Sequence, residues 1–294
     1  MAVTIDKAHI RQFNDNVILL AQQKGSKFRG MVREKPLKGN AAYFDRLAAT
    51  EAVQKTSRFA PTPNIDQEHS RRRVTPQDWH WASLIDSDDV ERMLTSPESD
   101  YAQLGAWALG RRIDTIVLEA ARGDAYSVDA DLAASAVALP SGQKVAVGTT
   151  GLTIAKLLST KEIFWNNDID VEDPDMQVVF AASPKSLLQL MNSTEVKSAD
   201  YNAVKALAEG KIDEYMGFKF KRTTRLAKTG NTRFCIAWLK NAIGLAVNGD
   251  ISTKVSERDD LSYATQVYCE TTLGATRVED EKVVEVGVDE SVAY

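Results

Sequence analysis

The chain has 294 residues, enough for about two ordinary domains or one large one. Its 36 basic and 41 acidic side chains leave a net charge of −5, and a hydrophobic content of 44 % is enough to bury a core. There is no apolar run of about 18 residues to span a membrane, and the start MAVTIDKAHI lacks the charged-then-apolar order of a secretory signal. Cys235 and Cys269 make no disulfide framework, and His9, His69 and His80 leave little for a metal or histidine-based site. These features exclude a membrane protein, a secreted disulfide scaffold and a zinc module, and they weigh against an enzyme. Charge is also uneven: residues 1–40 sum to +5 and residues 249–294 to −7. Two solvated faces would account for this, as would the basic end of one copy meeting the acidic end of another.

Residues 7–23 have the pattern of an amphipathic helix, with Asp6 as cap, Ile10, Phe13, Val17 and Leu20 on one stripe, and Gly25 as stop. SKFRGMVREKPLKGN follows, basic and broken by Gly30, Pro36 and Gly39, and reads as an extended arm. Residues 37–86 carry few helix signals. AAYFDRLAATEAV, a polar stretch with Pro61 and Pro63, and RRRVTPQDWHWASLID read as two extended limbs joined by a tip. In the second limb Trp79, Trp81 and Ser83 alternate with His80 and Ala82, a period of two. A loop of that length without a core of its own finds its burial on a partner.

Residues 96–123 predict a long helix. Ser96 caps it, Pro97 takes the first position, and Glu98 and Asp100 favour the dipole. Tyr101, Leu104, Ala108, Ile113, Ile116, Val117 and Ala120 form its stripe, and Gly123 stops it. At 1.5 Å per residue it is roughly 40 Å long, a structural spine.

Beyond residue 124 the elements mix. Strands are expected at 142–148, 176–182, 214–226, 232–239, 267–273 and 282–288, and helices at 152–167, 183–192, 200–210 and near 240–248. Without a steady strand–helix rhythm the class is α+β.

The short motifs are weak. GTTGLTIAK lacks the Gly-Lys-Ser/Thr that grips phosphate, and there is no GxSxG or HExxH. Asp168, Asp170, Glu172, Asp173 and Asp175 lack the turn glycine and closing glutamate of a calcium loop. Arg122-Gly123-Asp124 sits at a helix stop, and Asn192-Ser193-Thr194 matters only in a secreted protein. Cys235 and Cys269 lie in strand patterns and read as core. No catalytic residue, metal site or cofactor is expected.

The ordered combination is distinctive. QFNDNVILLAQQKGSKFRG (12–30), the run from Arg71 to Ala125, LTIAKLLSTKEIF (152–164), SADYNAVKALAEGKIDEYMGFKF (198–220) and the run from Ser256 to Val286 together resemble the major capsid proteins of tailed bacteriophages with the Hong Kong 97 (HK97-like) shell fold. The resemblance covers nearly the whole chain. It implies an α+β fold with an N-terminal arm at 1–36, an extended β-hairpin loop at 37–86, a peripheral domain at 87–140 plus 266–294 holding spine helix 97–122, and an axial domain at 141–265.

It also implies a structural protein, not an enzyme, that assembles in the bacterial host cytoplasm into hexamers and pentamers of an icosahedral shell. That shell encloses double-stranded DNA without specific recognition. Portal, scaffold or decoration proteins are the further partners, with the scaffold separate or absent because the arm begins at once. No cross-linking pair is assigned. Arg29, Arg33, Arg71, Arg72, Arg73, Trp79 and Trp81, on the arm and loop, are the candidates for contact between copies. Repetition makes weak contacts sufficient for a closed shell. The alternatives are an encapsulin-type compartment with the same fold and a cytosolic enzyme using scattered carboxylates such as Asp168 and Asp170.

Overall fold

The computed structural model describes residues 22–59, 61–62, 64–86, 98–128, 134–169, 177–192 and 214–293. The helix expected at 7–23, apart from its last two residues, the helix expected at 200–210, the Ser96-Pro97 start and the acids from Asp170 to Asp175 lie outside them.

In chain order the described strands begin with β1 (Arg33–Pro36), β2 (Ala42–Leu47), β3 (His69–Val74) and β4 (Gln77–Ile85). After helix α1 (Glu98–Arg122) come β5 (Ala125–Val128), β6 (Ala134–Val137) and β7 (Lys144–Val145). Helix α2 (Ile154–Asn166), β8 (Val178–Ala182) and α3 (Pro184–Met191) follow. The chain continues through β9 (Glu214–Tyr215), β10 (Phe218–Arg222), β11 (Lys228–Thr229), β12 (Thr232–Leu239) and β13 (Ile243–Val247). It ends in β14 (Ser252–Arg258), β15 (Ala264–Arg277) and β16 (Val283–Asp289).

These elements divide into two units. The first holds Met1–Ser26, Asp78–Arg112 and Asp250–Thr271, and the second holds Lys27–Gln77, Ile113–Gly249 and Thr272–Tyr294. Helix α1 and strand β15 run from one unit into the other.

In the first unit β15 pairs antiparallel with β14, from Ser252↔Glu270 to Arg258↔Ala264, and also with β4. The alternation along β4 turns Trp79, Trp81 and Ser83 inward and His80 and Ala82 to solvent. Gly105 on α1 lets helix and sheet approach closely. A Cβ there would lie 2.6 Å from both the Trp81 ring and the Cys269 sulfur.

The second unit is built on a sheet ordered β7-β16-β12-β8-β10-β9, with β11 on β12. Its central strands are apolar on both faces: VVFAA in β8 is fully buried, as is CIAWL at the end of β12. Helix α3 starts as its Ser-Pro signal predicts, with the Ser183 side chain accepting from the Ser186 N–H and Pro184 opening the helix. A second sheet, β2-β3-β5-β6, carries the hairpin limb.

Three sequence expectations need correction, and one strand was not expected. The segment near 240–248 is strand β13, not a helix. It is bonded on one edge to β1 and on the other to β15, and Gly244 both weakens a helix and makes room for Phe44. The strand expected over 214–226 is a tight hairpin, because Met216 and Gly217 both take positive φ. Of 142–148 only Lys144–Val145 is strand, preceded by a 3₁₀ turn. Strand β14 escaped prediction because its seven residues are largely exposed and polar, with no alternation to detect.

Candidate assembly surface

The hairpin limb is a regular antiparallel ladder from Ala42↔Val74 to Leu47↔His69, extended by one bond from the Ala48 N–H to the Glu68 carbonyl. Its two faces differ. Ala42, Phe44 and Val74 join Leu37, Ala246 and Val278 in a buried cluster. Beyond the ladder this burial stops. Every described residue from Leu47 to His69 is exposed, including Val53 and Phe59, and Phe59 is 98 % exposed at a positive φ. From the end of the ladder to Phe59 there are twelve residues, a reach of up to about 40 Å.

The base of the limb is fixed by a buried ion network. Arg72 is 4 % exposed and donates to Asp280 at 2.7 Å. Asp280 also accepts from Arg277, which is fully buried. The other donors of Arg277 reach the carbonyls of Gly123 (2.6 Å) and Ala121 at the end of α1 and of Val137 (2.9 Å) on β6. One guanidinium thus closes the C-terminus of the spine helix, and one carboxylate ties the limb to it.

The stretch before the limb is a strap. The N–H groups of Lys27 and Phe28 both donate to the buried carboxylate of Asp114 on α1. Phe28 meets Trp238 edge-on at 5.3 Å, and the Trp238 indole donates to the Met31 carbonyl. Strand β1 then runs parallel to β13. Residues 28–37, expected to seek burial on neighbours, therefore bury Phe28, Val32 and Leu37 within their own unit.

The seven candidate contact residues separate accordingly. Arg29 pairs with Glu34 at 3.4 Å, and Arg33 lies exposed with its guanidinium 5.8 Å from the Phe44 ring centre. Arg71 is on the open face of the limb, paired with Asp45 at 2.6 Å and set over Tyr43. Arg73 is half-buried on the same face. Arg72 differs from its neighbours, since the period of two turns it into the core and onto Asp280. Trp79 and Trp81 are likewise used inside the subunit: Trp79 lies beneath Arg112 at 3.9 Å, and Trp81 lies against Gly105.

Sequence reading missed Asp114, Arg277 and Asp280, whose place in the network depends on partners some 85 to 210 positions away. Among the described residues no group of three His, Cys, Asp or Glu could hold a metal, and burial pushes the Cys235 thiol up to about 11, which suits a core residue.

A sequence model of the phage capsid protein family matches residues 5–290. The chain belongs to that family. Solved structures agree on the fold. The capsid of cyanophage P-SCSP1u superposes with a TM-score of 0.71 at 17 % identity, covering 92 % of this chain and 90 % of that one. The capsid asymmetric unit of cyanophage Pam1 also gives 0.71, at 11 % identity over 100 % and 99 %. Mycobacterium phage Che8 gives 0.66 at 15 % identity over 94 % and 96 %. No curated protein is matched. The capsid protein thus has the HK97-like α+β fold and is a structural subunit of a phage head shell, built from copies of itself and located in the virion.

Proposed function

We propose that the chain is the major capsid subunit whose copies close, as pentamers and hexamers, into an icosahedral shell around double-stranded DNA. Its role is structural and not catalytic. It assembles in the bacterial host cytoplasm, with portal, scaffold or decoration proteins as further partners. Residues 1–36 serve as the arm, 37–86 as the extended loop, 87–140 with 266–294 as the peripheral domain, and 141–265 as the axial domain. Arg29, Arg33, Arg71 and Arg73 remain contact residues in this reading.

The exposure of the whole described run from Leu47 to His69 carries the proposal. A chain that long gains nothing from its own subunit to offset its conformational entropy, so its burial lies on a neighbouring copy. Replacing residues 49–67 by Asn-Gly tests this, because the Ala48–Glu68 bond leaves ends suited to a two-residue turn. The shortened chain should fold with unchanged stability and form no shells under electron microscopy. Normal shells from it would overturn the reading.

A further inference from the structure

From Met216 to Arg233 the chain carries six bases and no acid: Lys219, Lys221, Arg222, Arg225, Lys228 and Arg233. Strand β10 buries Phe218 and Phe220 and turns Lys219 and Lys221 the other way. Three of the six are engaged. Lys228 and Arg233 pair with Glu290, and Lys219 donates to the Gln177 side chain. The side chains of Lys221, Arg222 and Arg225 make no hydrogen bond or ion pair among the described residues. Two further facts mark a local positive field. The Lys27 ammonium, bonded to the Arg222 carbonyl at 2.8 Å, is held below its ordinary pKa by burial and by the charges of Arg222 and Lys221. Arg225 also shares a groove of about 560 Å³ with Arg122 and Lys144. The acids of that groove are Glu119 and Glu285, and Glu285 is already bonded by Arg122.

The surface has a second property. Among the described residues from Glu214 to Arg233 no large hydrophobic side chain is exposed. Protein–protein contacts are organised around an apolar centre ringed by polar groups. Contacts to a nucleic-acid backbone need only cations and remain wet. The absence of exposed aromatics also argues against stacked single strands.

We propose that Lys221, Arg222 and Arg225, with Lys144 at the groove edge, form a contact site for the phosphate backbone of double-stranded DNA. The inference rests on the reading that the shell encloses DNA. The contact is indifferent to sequence and weak, because a few cations act within a subunit of net charge −5. Such a site holds packaged DNA in register with the wall and still lets it slide.

The test uses the full-length, unassembled subunit and a labelled random-sequence duplex, followed by fluorescence anisotropy between 50 and 200 mM salt. The comparison is the triple variant K221S/R222S/R225S. Each phosphate contact steepens the salt dependence by about 0.9, so over this range wild type should lose about 40-fold more affinity than the triple variant. Single replacements should each remove about one third of that difference on a logarithmic scale, which keeps the test available if the triple variant fails to fold.

A wild-type subunit that ignores the duplex overturns the proposal. So does a triple variant with unchanged affinity and salt slope. A triple variant that still binds DNA but no longer forms shells identifies the patch as a contact between copies and equally overturns it. Failure of the capsid reading itself shows separately, as wild-type protein that never forms particles.

Discussion

Glu290 offers a measurable account of how the C-terminal end is held. Its carboxylate lies at the edge of β16, where it accepts from Arg233 at 3.0 Å, from the Ser183 hydroxyl at 2.7 Å and from Lys228 at 3.2 Å. Burial alone would raise its pKa. The hydrogen bonds from Arg233, Ser183 and Lys228, with the Arg233 charge, outweigh burial and hold it at about 2, against an ordinary 4.5. A carboxyl that ionises so much more readily in the folded chain contributes about 3 kcal/mol of stability at neutral pH. The half-exposed Lys228 supplies little of this. Glu290→Gln keeps an acceptor for Ser183 but discards the charge, so it should cost about 2–3 kcal/mol at pH 7. The native contribution is complete above pH 4.5 and is lost as pH falls toward 2, and by pH 3 it is down to about 1.4 kcal/mol. The variant has no such group to titrate. Urea unfolding of both proteins at pH 7 and pH 3 should therefore show the gap shrinking by more than half. A gap of the same size at both pH values would refute the electrostatic origin and leave Glu290 as a packing residue.

Other consequences follow from the same geometry. Asp280→Asn leaves Arg72 and Arg277 buried without their counter-charge and should cost about 3 kcal/mol in urea unfolding, with faster amide exchange in β2 and β3. Gly244→Ala would place a methyl group 2.6 Å from the Phe44 ring and should destabilise by about 1–3 kcal/mol, partly relieved by Phe44→Leu in the same chain. Lys156→Met would strip a donor from three carbonyls, those of Val147, Thr150 and Gly287, and should lower stability by about 3 kcal/mol or more in thermal unfolding.

What the sequence disclosed and what it hid divide along physical lines. Local signals were legible: the Ser-Pro start of α3, the period of two in β4 and the alternating Phe218 and Phe220 all report a single element's own geometry, whereas of the expected α1 stripe only Ile113 and Val117 are buried, beside Leu109, Leu118 and Ala121. The long exposed loop was legible as well, because polar length without periodicity has few other meanings. Hidden were choices made by partners. Strand β13 looks helical until β1 and β15 claim its two edges. Arg72, one of three consecutive arginines, becomes a core residue only because its neighbour across the ladder, Phe44, faces inward. The base-rich run at 216–233 was detectable by a short charge window, yet a comparison of the two chain ends, 1–40 and 249–294, passes it by.

The Lys156 ammonium has a consequence for the particle as an object in the environment. It stands where three backbone carbonyls converge, at 2.7, 2.8 and 2.8 Å, between the 147–150 turn and β16. Many proteins fill such a carbonyl junction with a bound cation. Here the cation is covalently attached to helix α2, so chelators cannot remove it and dilution into salt-poor water cannot drain it. The junction therefore holds its donor whatever ions the surrounding solution contains.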